Sequence, residues 1–200
     1  MQEFIQNLLL NLSKHQNLVF LLLFIVSFLE SFAFIGLVVP GAVFIVTAGY
    51  LGFKGYLNIE KIILWSVLGA VFADIASFYL GKNYGEKITK YKLFQKYKDY
   101  YKKGIKFFQK YGGISVFLGR FVGPIRPVVP FLAGLLKMEI FKFYFYAIAS
   151  GILWGISYSL TGYLFGQSLQ VIESYSHRLN LLIVIGFIIL YFFYKKTKKN

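Results

Sequence analysis

Phe117-Leu118-Gly119-Arg120-Phe121-Val122-Gly123-Pro124-Ile125-Arg126-Pro127 sets two arginines and two prolines inside an apolar run spanning residues 114–136. Pro130 follows, so three prolines fall within seven residues. Each internal proline removes a backbone donor and crowds the preceding turn, and no straight helix accommodates that. Backbone freed at membrane depth must be satisfied by protein or by a wet cavity, never by lipid. The stretch reads as a helix–break–helix hairpin that dips into a membrane rather than crossing it. Residues 18–53 read the same way, interrupted at Pro40-Gly41.

The surrounding composition supplies the membrane. The 200 residues are 58% hydrophobic and 15% charged, against about 45–50% and about 25% in soluble domains. That excludes an ordinary soluble domain, and it equally excludes a solvated disordered chain. The absence of cysteine removes disulfides, thiolate metal sites and cysteine nucleophiles. Residues 62–80 and 140–165 reach the length of about 17–25 residues that a helix needs to span a bilayer, and residues 179–194, about one residue short of it, are read as a third, narrow span. A cleavable signal is not expected, since the first cation is Lys14.

Charge orients these spans. Residues 82–110 hold ten lysines against Glu86 and Asp99, and Lys195, Lys196, Lys198 and Lys199 crowd the tail; together they account for 12 of the 14 net positive charges. Basic blocks beside apolar runs follow the positive-inside rule, which places both in the cytoplasm and argues against nucleic-acid binding. Within residues 91–110, Tyr91, Phe94, Tyr101, Ile105 and Phe108 recur at helical spacing, with lysines on another stripe. That pattern predicts an amphipathic helix lying at the membrane surface and meeting anionic headgroups.

The chain also resembles itself. Val38-Val39-Pro40 through Ala48-Gly49 parallels Ile125-Arg126-Pro127 through Ala133-Gly134, and Trp65 to Gly85 aligns without gaps onto Tyr146 to Gly166. The reading is one all-α polytopic membrane domain over residues 1–200. Repeat one covers about 18–85, a basic connector about 86–111, repeat two about 112–166 and a C-terminal transmembrane helix about 179–194. With the connector inside, the two halves run in opposite directions. Paired broken helices in inverted halves are the transporter pattern, with the site where the breaks meet. Pro40, Gly41, Gly123, Pro124, Pro127 and Pro130 are the expected break and hinge positions. Gly119…Gly123, Gly151…Gly155 and Gly162…Gly166 have the spacing of close helix contacts, read as packing within one chain, with a homo-oligomer as the alternative.

Of eight acids, only Glu30 and Asp74 fall within apolar segments. Each costs about 2.5–3.5 kcal/mol at a helix centre, so a partner and a function are expected for each. The partners available are Arg120 and Arg126. Nineteen of 22 basic residues are lysine, yet both intramembrane ones are arginine. Arginine keeps its charge when desolvated and grips phosphate or carboxylate with a planar fork. The expected site is therefore a phosphate-binding pair, Arg120 and Arg126, beside the proton-exchanging carboxylates Glu30 and Asp74. No metal-ligand cluster, nucleophile–base pair or cofactor motif is present, and no enzymatic activity is expected.

The run from Phe117 to Pro127 resembles the signature of the DedA family, also called the SNARE-associated or VTT-domain family. Glu30 ahead of Pro40-Gly41, Asp74 leading to Gly81 and Gly85, and Ala133-Gly134 extend the resemblance over most of the chain. It implies paired re-entrant hairpins in a bacterial inner membrane. It also implies movement of phospholipids or undecaprenyl phosphate between leaflets, either flippase-like and dependent on the proton motive force or scramblase-like and energy-independent. Many members carry an acid after the Pro-Gly, where this chain has Ala42. The expectation is thus a lipid transporter whose partners are membrane lipids and protons, with no cofactor. A proton-coupled exporter of small cations or drugs, and a non-transporting scaffold for envelope assembly, are the alternatives.

Overall fold

The computed structural model describes residues 15–90 and 98–197, with side chains described over residues 15–89 and 99–169 except that of Pro124. Seven α-helices follow in order: α1 Gln16–Ser31, α2 Gly41–Phe53, α3 Ile59–Lys90, α4 Lys98–Tyr111, α5 Ser115–Gly119, α6 Val129–Leu135 and α7 Ile140–Thr197. Single 3-10 turns occur at Ile35–Leu37, Gly112–Ile114 and Gly123–Ile125, and no strand occurs among the described residues.

Among the described residues two helices are long and apolar enough to cross a membrane, over Ile59–Thr89 and Ile140–Leu169. Asn58 starts the first: its Oδ1 accepts from the Lys61 N–H at 3.0 Å, satisfying an amide that the helix cannot. Along the second, Phe141, Phe145, Ile148 and Ile152 are exposed at spacings of four, three and four residues. That spacing is one helix face, left apolar for lipid.

The two helix–break–helix units pack around these spans from opposite ends. In the first, α1 runs alongside α3 in the same direction. Gln16 Nε2 donates to the Tyr56 carbonyl at 3.2 Å, and the Ala33 N–H donates to Ser77 Oγ at 2.9 Å. After the break α2 turns back, so both ends of the unit lie beside the start of α3. In the second, Gly113 and Met138 lie close together, so α5 leaves from and α6 returns to the same end. Gly134 packs on Phe78 and Lys82, placing that end beside the far half of α3.

Two glycine crossings hold the returning arms. A methyl at Gly49 would strike the Ser159 carbonyl and one at Gly162 the Val46 carbonyl; likewise Gly81 meets Phe131 and Gly134 meets Phe78. In all four cases the obstructing carbonyl lies three residues before the facing glycine. Each returning arm thus crosses a long helix through the same local geometry, with small residues admitting backbone to backbone. Around one crossing, Phe78, Val129, Ala133, Phe143 and Ala147 form a buried cluster, with the Phe78 and Phe143 rings stacked 4.1 Å apart. Phe20, Leu23, Ala48, Leu57 and Ile62 form another at the opposite end of the molecule.

Four sequence expectations change. The spans expected at 140–165 and 179–194 belong to one continuous helix, α7. Residues 166–178 contain no proline and a single glycine, so nothing there interrupts the hydrogen-bond ladder. The first break begins at Phe32, well before Pro40: Phe32 takes an extended backbone with ψ of 140° and ends the α-helical path, and Phe34 follows with a positive φ of 65°. Pro40 caps α2. Pro130 is no hinge: it lies in the first turn of α6, where its missing N–H costs nothing. Finally, the apolar stripe of α4 faces protein. Tyr101 and Ile105 pack with Val128, Phe131 and Leu132, and Phe107 and Phe108 pack with Val116 and Val129. Lys102, Lys103, Lys106 and Lys110 remain exposed on its outer side. Tyr91, Phe94 and the lysines among residues 91–97 lie outside the described residues.

Candidate functional site

The two breaks meet. Glu30 sits in the last turn of α1, Asp74 midway along α3, Arg120 directly after α5, and Arg126 directly after the turn Gly123–Ile125. Glu30, Asp74 and Arg120 are buried to 6%, 4% and 4% exposure. An ion pair joins Arg126 Nη1 to Glu30 Oε1 at 2.9 Å, and a second joins Arg120 Nη2 to Asp74 Oδ2. The four charges that the sequence singled out therefore form two neutral pairs. Charges this deep are tolerable only when paired, and removing one member of such a pair costs about 3–5 kcal/mol.

Each arginine is held in the same way. Arg126 Nη2 donates to Ser31 Oγ at 3.1 Å, and Arg120 Nε donates to Ser150 Oγ at 3.1 Å. Each guanidinium thus has one carboxylate and one serine. Each also keeps one buried nitrogen with no partner among the described residues, Nε on Arg126 and Nη1 on Arg120. Glu30 Oε2 is equally unpartnered. Gly41 makes room for that carboxylate, since a Cβ there would collide with Glu30 Oε2 and lie 2.9 Å from its Cβ.

These groups surround a cavity of about 360 Å3 lined by Glu30, Arg120, Arg126, Tyr100, Tyr158 and Phe121, and also by residues of both breaks, including Gly36, Gly123 and Pro127. Its size falls within the range of about 300–1,000 Å3 typical of small-ligand sites. Asp74 lies behind Arg120 and does not line it. The structure thus brings Glu30, Arg120 and Arg126 to one space and leaves Asp74 buried behind Arg120. Pro127 touches the opposite break, its Cβ 3.0 Å from where a Gly36 Cβ would stand. Gly123 has φ of 22° and turns the chain into the site. Pro124 lies within that turn.

Several contributors escaped sequence reasoning. Ser31 and Ser150 carry no signal, since serine is common in membrane helices. Tyr100 lies on the connector, whose sequence pattern predicts a membrane-surface helix rather than a wall of the site. Trp154 places its ring 4.4 Å from Arg126 Cζ. It had a legible signal: tryptophans of membrane helices gather at the interfaces, whereas Trp154 lies near the middle of a span. Among the described residues no group of three His, Asp or Glu could hold a metal ion.

Comparison with known proteins agrees with this architecture. The VTT domain matches residues 39–164, which include both breaks' returning arms and three of the four charges. The inner membrane protein YabI of Escherichia coli is 33% identical over 74% of this chain and 58% of its own length. An uncharacterized membrane protein of Buchnera aphidicola is 34% identical over 80% of this chain and 63% of its own length. Protein DedA of Escherichia coli is 29% identical over 86% and 77% respectively. The chain therefore spans less than two thirds of the first two relatives. No solved structure matches it significantly. The extent of the VTT match and these relatives establish that the chain is a membrane protein of the VTT-domain family to which DedA belongs.

Proposed function

We propose that this protein moves a phosphate-bearing lipid between the leaflets of a bacterial inner membrane. The observation that carries this reading is that Arg120 and Arg126 line the same cavity, each with a buried nitrogen that has no partner among the described residues. A phosphate group supplies acceptors for both, and arginine recognises it through paired hydrogen bonds. Phe121 lines the same cavity and is 46% exposed, and Val38 and Val122 on the flanking breaks are also exposed. An acyl or polyprenyl tail such as that of undecaprenyl phosphate remains in lipid beside these residues while the headgroup enters. Two guanidiniums against one lining carboxylate make a poor site for a cation, which argues against a small-cation or drug exporter.

In this reading the two helix–break–helix units are re-entrant hairpins of inverted repeats, entering from opposite leaflets. The reciprocal glycine crossings support that symmetry. The lysine face of α4 lies on the cytoplasmic side and attracts anionic headgroups. Glu30 exchanges protons: taking one up releases Arg126 to bind phosphate without leaving net charge in the membrane. Asp74 holds Arg120 in place.

Reconstitution tests the reading. Purified protein in liposomes is expected to move a fluorescent undecaprenyl phosphate or phospholipid analogue between leaflets, faster under an inward proton gradient. Equal movement by Arg126→Ala, or none by the wild type with any phosphate lipid, would overturn it.

A further inference from the structure

Arg126 is held from three sides, by the Glu30 carboxylate, the Ser31 hydroxyl and an aromatic ring. Its guanidinium lies over the Trp154 ring, which is 1% exposed. The indole is itself fixed: Ile45 of α2 and Ala70 of α3 pack against it, and the Tyr158 ring lies 5.1 Å away, inclined at 43°. Tyr158 in turn lines the cavity. Arg126, Trp154 and Tyr158 form a cation–aromatic column whose two ends, Arg126 and Tyr158, both line the cavity.

The column is retained against a cost. Trp154 Nε1 is buried with no hydrogen-bond partner among the described residues, a penalty that phenylalanine or leucine would not incur. What tryptophan uniquely adds is the most electron-rich ring face available to a cation, and that attraction is strongest where water is absent. The ring face attracts the cation through its quadrupole and supplies no hydrogen-bond acceptor oxygen. It therefore stabilises the charge without competing with any anion for hydrogen bonds.

We propose that Trp154 is a positioning residue, a fixed seat on which Arg126 stays stacked while its edge exchanges Glu30 for a substrate phosphate. The proposal rests on the phosphate-lipid reading above. During that exchange neither anion fully neutralises Arg126, and the ring face, together with the Ser31 hydroxyl, is a stabilising contact that does not change. Without the seat the guanidinium leaves its position whenever Glu30 lets go.

The chain has two tryptophans, Trp65 and Trp154, so Trp65→Phe makes Trp154 the sole indole reporter. In that background, emission is expected to change on Arg126→Ala and on adding undecaprenyl phosphate. It is expected to stay constant on adding uncharged undecaprenol. Leaflet exchange is expected to fall about tenfold or more in Trp154→Leu and to recover to within about threefold of wild type in Trp154→Phe, which restores a ring face. Trp154→Leu added to Arg126→Ala is expected to cause no further loss. Unchanged emission on Arg126→Ala would overturn the seat whatever the substrate. So would normal exchange by Trp154→Leu, or a Trp154→Phe variant that keeps the wild-type melting temperature yet exchanges no better than Leu. If the wild type moves no phosphate lipid while Arg126→Ala still alters emission, the function reading fails and the stacking stands as structural only, which also ends the proposal.

Discussion

Glu30 and Arg126 are 96 residues apart in the chain and 2.9 Å apart in space. Their pairing ties the break of one helix–break–helix unit to the break of the other, and it closes one side of the cavity. In the proposed function, the contact that ties the two units together is also the one that substrate entry has to loosen.

That pairing is expected to appear as coupling in a double-mutant cycle. Glu30→Gln and Arg126→Gln, singly and together, are compared by thermal unfolding in detergent. A coupling of about 1–3 kcal/mol is expected, in the range for directly bonded residues. Strict additivity would show that the contact does not form.

Arg120→Lys is expected to impair transport although charge is retained. Lysine has one nitrogen, and it cannot hold Asp74, bond Ser150 and present a further donor to the cavity at once. A loss of about tenfold or more in leaflet exchange is expected, equivalent to about 1.4 kcal/mol. Wild-type rates would remove the forked role.

Transport is expected to lose its dependence on proton gradient in Glu30→Gln, because Glu30 is the carboxylate that lines the cavity. In Asp74→Asn the expected defect is folding: Arg120 is left buried beside a neutral partner, and the melting temperature falls. Comparing rate against gradient for both variants separates the two roles.

The glycine crossings make a stability prediction. Gly134→Ala forces a methyl against the Phe78 backbone and is expected to cost about 1–3 kcal/mol. Gly85→Ala meets only the Leu135 side chain, which can move, and is expected to cost less. Melting temperatures in one detergent read the order directly.

Much of this was legible before any coordinates. All four prolines lie at or beside the two interruptions, and ring chemistry makes their effect local and readable. Glu30, Asp74, Arg120 and Arg126 announced themselves because a charge in an apolar segment is costly wherever the segment packs. Other features resisted for identifiable reasons. Phe34 adopts a positive φ that no pattern of residue types signals. The stripe of α4 gave the right helix but the wrong partner, because an apolar face looks the same whether lipid or α6 covers it.

Composition, proline placement and the rarity of intramembrane charge were therefore enough to specify a helical membrane protein with two broken segments and a four-charge centre. Those are properties of single residues and their near neighbours, where solvation and backbone geometry act locally. Which carboxylate serves which arginine, that Trp154 underlies one of them, and that Tyr100 reaches the cavity from the connector follow from contacts between distant segments. Such contacts depend on how whole helices cross, and many side chains share in setting those crossings, so no stretch of chain encodes them alone.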